Sequence, residues 1–130
     1  MTSGKTILVV DTDENARDFC RLVLEPRGYR VVWAAGAADG ERLARSERPD
    51  LVVLFIGVDG EESGVGMAEW LARELPSVPV VIVSPRDGVG TEIVDVSRAP
   101  AAVRLSRPLT HRALIENVRA LTGPQPPGAC

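Results

Sequence analysis

The chain has 130 residues, of which 45% are hydrophobic and 25% charged, so it can bury a core without metals or disulfides. Its net charge of −3 at pH 7 argues against a nucleic-acid-binding protein, because such proteins usually carry a clustered basic face. Neither Cys20 nor Cys130 has a cysteine or histidine at metal-ligand spacing, which argues against a metal site. No apolar run approaches the roughly 20 residues of a membrane-spanning helix, and residues 1–6 lack the apolar stretch of a signal peptide. We therefore expect a cytoplasmic protein that binds neither nucleic acid nor membrane.

Apolar runs recur along the chain at regular intervals. Short, continuous runs rich in β-branched residues are typical of strands that are buried on both faces of a parallel sheet. Arg104 interrupts the last run, which is the weakest of them. The predicted strands lie at residues 7–10, 29–34, 51–56, 80–83 and 101–105.

Segments of helical length lie between these runs. Asp13 is a candidate N-cap for the first helix, which Gly28 can end. Thr110 can cap the last helix, and Leu109 and Leu114 are spaced as a hydrophobic staple. Two glycines weaken the fourth helix by up to about 1 kcal/mol each. Between the first helix and the last, further helices are predicted at 37–45, 67–75 and 86–98.

The alternation of strands and helices predicts an α/β domain. Crossovers of this kind are nearly always right-handed and give a doubly wound parallel sheet with helices on both faces. This domain is expected to span residues 1–122. Residues 123–130 contain three prolines and two glycines, a composition that favours a disordered tail.

The residues that directly follow the apolar runs are the candidates for function. In an open parallel sheet, ligands bind at the edge formed by the carboxyl ends of the strands. Two acids follow the first run, a hydroxyl follows the fourth and a cation follows the fifth. The residues expected at this edge are Asp11, Thr12, Asp13, the segment 55–59, Ser84, Pro85, Ser106, Arg107 and Pro108.

Four segments of the chain resemble the response regulator receiver domain family. The order and spacing of these segments carry the resemblance, which extends from about residue 5 to about residue 122. It implies a flavodoxin-like (CheY-like) fold, in which a five-stranded parallel sheet has the order 2-1-3-4-5. The segments are ILVVDTDEN at 7–15, RPDLVVLFI at 48–56, VPVVIVS at 78–84 and VRLSRPL at 103–109.

Receiver domains of this family take a phosphoryl group from a histidine kinase onto an aspartate that ends the third strand. A divalent metal, held by that aspartate and by acids after the first strand, offsets the phosphate charge. A hydroxyl after the fourth strand and a lysine after the fifth contact the phosphoryl oxygens. The resemblance therefore implies two-component (phosphorelay) signal transduction by a protein that is not itself an enzyme.

The acceptor position departs from the family pattern. Phe55 stands where the phosphoacceptor aspartate is expected, and a phenyl ring is neither a nucleophile nor a cation ligand. Asp11 matches the first acid, but Thr12 stands where the second acid, usually a metal ligand, is expected. Asp13 matches a third position that is often acidic. Asp11 and Asp13 are thus either residual ligands of a cation or a turn and capping pair.

The positions after the fourth and fifth strands are partly retained. Ser84 keeps the hydroxyl, and Arg107 with Pro108 keeps the positive charge in a bulkier side chain. Arg104 replaces the aromatic residue that acts as a conformational switch in the family. Asp11 is expected to pair with Arg107 across the altered pocket.

A second alignment makes Asp59 the phosphoacceptor. If Gly66 is the glycine that opens the third helix, the segment 57–66 is about three residues longer than the corresponding turn of the family. Asp59 then lies at nearly the right distance from Gly66. This alignment, however, requires four extra residues between Pro49 and the end of the third strand, whereas the apolar run stops at Ile56.

The sequence favours a non-phosphorylatable pseudo-receiver that acts as a protein–protein interaction module, with no catalytic residue, metal or cofactor. Its partner would be a signalling protein such as a histidine kinase or an effector, or a second copy bound through residues 86–121. The first alternative is a phosphorylatable stand-alone response regulator that uses Asp59 or Asp13 with Mg²⁺. The second alternative is a sensor of a small ligand or anion that binds among Asp11, Ser84 and Arg107.

Overall fold

The fold is given by a computed structural model, which describes residues 5–11, 14–55, 62–84, 102–106 and 110–123. Each strand begins and ends within one residue of the apolar run that predicts it. In chain order the elements are β1 Thr6–Val10, α1 Glu14–Leu24, a 3₁₀ turn Glu25–Arg27, β2 Arg30–Ala34, α2 Ala37–Glu47, β3 Leu51–Phe55, α3 Glu62–Glu74, β4 Val80–Ser84, β5 Ala102–Ser106 and α4 His111–Thr122.

The strands form one five-stranded parallel sheet in the order β2-β1-β3-β4-β5. This arrangement confirms the flavodoxin-like order expected from the resemblance. The chain adds β2 on one side of β1 and the remaining strands on the other, so the strand order reverses between β1 and β3. The crevice that binds ligands in such sheets therefore lies at the carboxyl ends of these two strands.

Side chains alternate between the two faces of the sheet, and helices cover each face. α1 and α4 contact each other on one face, and α2 and α3 contact each other on the other. The α1–α4 core contains Ile7, Val9, Cys20, Val23, Leu24, Tyr29, Leu51, Val53, Phe55, Val81, Val83, Leu114 and Val118. The α2–α3 core contains Leu8, Val10, Ala34, Ala44, Val52, Leu54, Met67, Leu71, Val80 and Ile82.

The ends of three helical segments follow local sequence signals. Thr110 Oγ1 accepts a hydrogen bond of 3.0 Å from the Ala113 N–H, which confirms the predicted cap of α4. α1 passes into the 3₁₀ turn, which Gly28 ends with a φ of 93°, a value that favours glycine. α2 continues to Glu47, two residues beyond its predicted end, and Arg48 then takes a φ of 50° before Pro49.

The predicted start of α3 at residue 67 is wrong, because the helix begins at Glu62. Gly64 and Gly66 favour a loop in the sequence, since each glycine weakens a helix by about 1 kcal/mol. Met67 and Leu71 are both fully buried against the sheet, and this burial outweighs the cost. The helix thus includes residues that the sequence pattern assigns to the preceding loop.

Gly40 allows α2 to pack closely against α3 and β1. A Cβ atom at Gly40 would lie 2.7 Å from Met67 Sδ and 3.2 Å from Val10 Cγ2, both closer than an ordinary contact. Gly36, at the start of the same helix, has nothing within 4 Å of the position of its Cβ. The missing side chain at Gly40 therefore sets how near α2 lies to its neighbours.

Several predictions lie outside the described residues. They concern the Asp13 cap of α1, the helix at 86–98, the staple residue Leu109 and the tail beyond Gly123. Within the described ranges, no helix is long and apolar enough to cross a membrane.

Candidate functional site

The candidate site is the edge of the sheet where β1, β3 and β4 end. Val10 is paired with Leu54, so the next residues, Asp11 and Phe55, leave the two strands side by side. Phe55 is in turn paired with Val83, directly before Ser84. The structure therefore brings the carboxyl ends of these three strands together, as the sequence predicts.

Phe55 is buried where β3 ends. Its side chain is 8% exposed and belongs to the α1–α4 core, together with Val53 of the same strand and Val83 of β4. The ring continues the alternation of Leu51 and Val53, which point to the same face. At the end of β3, this chain thus has an apolar ring packed among apolar side chains.

Asp11 is also buried, at 9% exposure, and both polar groups of its main chain are bonded to β2. Its N–H donates to the Ala34 carbonyl oxygen at 3.0 Å. Its carbonyl oxygen accepts a hydrogen bond of 3.1 Å from the indole Nε1–H of Trp33. The end of β1 is therefore held by the neighbouring edge strand.

Arg17 covers the same indole ring from α1. Its guanidinium carbon lies 4.7 Å from the centre of the Trp33 ring, a cation–π distance. Its Nε donates to Asp18 Oδ1 at 3.2 Å. Neither Trp33 nor Arg17 is among the site residues predicted from the sequence. The signal available in the sequence is that Trp33 stands near the end of the run that pairs with the first strand.

Cys20 on α1 lies in the same core as Phe55. Burial raises the pKa of its thiol to about 12, and the negative charge of Asp11 adds to the shift. The thiol is therefore protonated at neutral pH. Because the thiolate is the form that acts as a nucleophile or binds a metal, Cys20 does neither. Cys20 is a buried core residue, while Cys130 lies outside the described residues.

Other predicted site residues lie wholly or partly outside the description. Of Ser84 and Arg104 the structure gives the main chain, in which Ser84 pairs with Ser106 and Arg104 pairs with Ile82. Among the described residues, no group of three His, Cys, Asp or Glu side chains could hold a metal ion. The residues predicted at this edge that are not described are Thr12, Asp13, residues 56–59, Pro85, Arg107 and Pro108.

Residues 7–119 match the profile of the response regulator receiver domain. The chain is 31% identical over 117 residues to Protein PilH of Pseudomonas aeruginosa, a match that covers 88% of this chain and 95% of PilH. It is 26% identical over 121 residues to the polar-differentiation response regulator DivK of Brucella anthropi, covering 92% of this chain and 97% of DivK.

The fold, like the sequence, is similar to that of receiver domains. The fold is similar to the crystal structure of a CheY-like response regulator receiver domain protein from Methanospirillum hungatei, with a TM-score of 0.78. The match covers 91% of this chain and 93% of that protein at 24% identity. At this identity the similarity shows the fold alone.

Proposed function

The chain belongs to the response regulator receiver domain family, and we propose that it is a pseudo-receiver, which binds other proteins without being phosphorylated itself. The observation that carries the proposal is the buried phenyl ring of Phe55 at the end of β3. Phosphoryl transfer onto a receiver needs an oxygen nucleophile at this position, and phenylalanine has none.

The surroundings of Phe55 also support the loss of phosphate chemistry. A divalent cation at such a site is held by carboxylate oxygens. Phe55 removes one such ligand, and Thr12 stands where a second is expected. Asp11 keeps one carboxylate, but the residue beside it where β3 leaves the sheet is Phe55. We therefore expect weak or no binding of Mg²⁺ and no cofactor.

A pseudo-receiver acts through a partner, and we propose a histidine kinase or an effector of a two-component pathway in the cytoplasm. The proposed contact surface covers residues 86–121, which includes β5 and most of α4. Arg112 and Glu116 on α4 are exposed and form an i,i+4 ion pair of 3.0 Å. A partner that contacts this surface would meet charged side chains that are already paired. In a variant of this proposal, the partner is a second copy of the chain bound through the same surface. Measurement of the oligomeric state in solution tests this variant.

The test is uptake of a phosphoryl group from acetyl phosphate. The purified chain is incubated with acetyl phosphate and Mg²⁺ and analysed by intact-mass spectrometry, with a receiver domain that retains its acceptor aspartate as the positive control. We expect no added phosphoryl group on this chain. Uptake would overturn the proposal, and loss of that uptake in Asp59→Asn or Asp13→Asn would identify the acceptor.

A further inference from the structure

The main chain of Asp11 is held at the site by contacts that the proposed function does not use. In β1, main-chain groups up to Val10 are bonded within the sheet. The chain then leaves the sheet at Asp11, where the ladder ends. Here the Ala34 carbonyl accepts from the Asp11 N–H, and the Trp33 indole donates to the Asp11 carbonyl oxygen. A side chain thus supplies the hydrogen bond that a strand would otherwise provide.

The position of the Trp33 ring is itself determined from α1. Arg17 lies over its face at 4.7 Å, and the Arg17 side chain is 27% exposed, so the stacked guanidinium is partly shielded from water. Trp33 also packs against the α1–α4 core. The Trp33 side chain therefore contacts β1 through its N–H and α1 through the face of its ring, and it also packs against the core.

We propose that Trp33 is a positioning residue, clamped by Arg17, that fixes the Asp11 main chain at the point where β1 ends. The clamp goes beyond the proposed function and does not depend on it, because its hydrogen bond joins Trp33 to the Asp11 main chain and its cation–π contact joins Trp33 to Arg17. Its consequence is preorganisation: a partner or ligand that meets this edge finds the Asp11 main chain already in place.

The second tryptophan provides a matched control. Trp70 is half-buried on the opposite face of the sheet, and the guanidinium carbon of Arg45 lies 5.0 Å from its ring centre. Unlike Trp33, its indole N–H has no acceptor among the residues that the structure describes. The two tryptophans thus share a stacked arginine and differ in the hydrogen bond.

The experiment measures hydrogen exchange by NMR on the ¹⁵N-labelled full chain. Trp33→Phe and Trp70→Phe each remove one indole signal and thereby assign both. We expect the Trp33 indole N–H to exchange roughly 3- to 10-fold more slowly than that of Trp70, as a hydrogen bond of ordinary net strength requires. We also expect Trp33→Phe to speed exchange of the Asp11 amide by a similar factor, whereas Trp70→Phe leaves it unchanged.

Arg17 variants separate positioning from simple packing. Arg17→Gln should speed exchange of the Trp33 indole, and Arg17→Lys, which keeps a cation over the ring, should restore part of the protection. Equal exchange of the two indoles in the wild-type chain would overturn the proposal even if Trp33→Phe failed to fold. So would an Asp11 amide that responds alike to Trp33→Phe and Trp70→Phe. Phosphoryl uptake by the chain would overturn the proposed function and leave this inference intact.

Discussion

Replacing Phe55 with alanine measures how much the ring contributes to the core. A buried phenylalanine removes about 150–250 Å² from water, which at roughly 25 cal/mol per Å² corresponds to about 4–6 kcal/mol as an upper estimate. Truncation of buried phenylalanines to alanine costs about 3–5 kcal/mol. Since Phe55 lies at the edge of the sheet and remains 8% exposed, we expect about 3 kcal/mol for Phe55→Ala.

The assay is urea unfolding followed by far-UV circular dichroism, with the urea midpoint and the m-value fitted together. Phe55→Leu keeps most of the apolar volume and should cost no more than about 1.5 kcal/mol. Leu22→Ala is the control, because Leu22 is 76% exposed on α1 and its removal should change stability by less than about 0.5 kcal/mol.

A cost below about 1 kcal/mol for Phe55→Ala, with Phe55→Leu no different from it, would refute the reasoning. The ring would then contribute too little to be a core residue, and the site would be open enough to admit solvent. The same variants also bear on the proposed function, which depends on the Phe55 ring being packed in the core at the end of β3.

Three further predictions concern the packing, a cap and a thiol. Gly40→Ala should destabilise the chain by about 1–2 kcal/mol despite its gain in helix propensity, because its Cβ would crowd Met67; Gly36→Ala, which meets nothing, should be milder in the same urea titration. Thr110→Ala should cost about 1 kcal/mol through loss of the α4 cap, and Thr110→Ser should restore most of it. The thiol of Cys20 has a pKa of about 12 in the folded chain and 9.0 as its ordinary value, so the unfolded state ionises first and stability should fall as pH rises above 9. Cys20→Ala should lessen that fall, and an equal loss in both proteins would contradict the assignment.

The strands are predictable because each is determined by its own residues. The run from Leu51 to Phe55 is apolar throughout, and burial on both faces of a parallel sheet demands that composition. The Thr110 cap is predictable for the same reason, since donor and acceptor are three residues apart. The start of α3 is not, because local propensity at Gly64 and Gly66 opposes a helix whose stability comes from packing against the sheet.

The contact between Trp33 and Asp11 shows a different limit of the sequence. The two residues are 22 positions apart, and their contact exists because β2 pairs with β1 in one register. Periodicity gives the faces of β2 but not the residue that meets the end of its neighbour. A one-residue shift of this register would carry Trp33 to the other face of the sheet and remove the hydrogen bond altogether.

For Phe55, burial can be predicted from the local sequence, whereas its place at the candidate site depends on how the strands pair. Its burial follows from alternation alone, since Leu51 and Val53 precede it on the α1–α4 face. Its meaning does not, because an apolar residue that ends a buried strand is ordinary in any parallel sheet. Phe55 is relevant to function only because it lies beside Asp11, at the point where the strand order reverses and ligands bind in such sheets. The surrounding register is kept by pairs such as Val10 with Leu54, which do not depend on the residue at 55. The pairing of β1 with β3 therefore tolerates an apolar residue at this position.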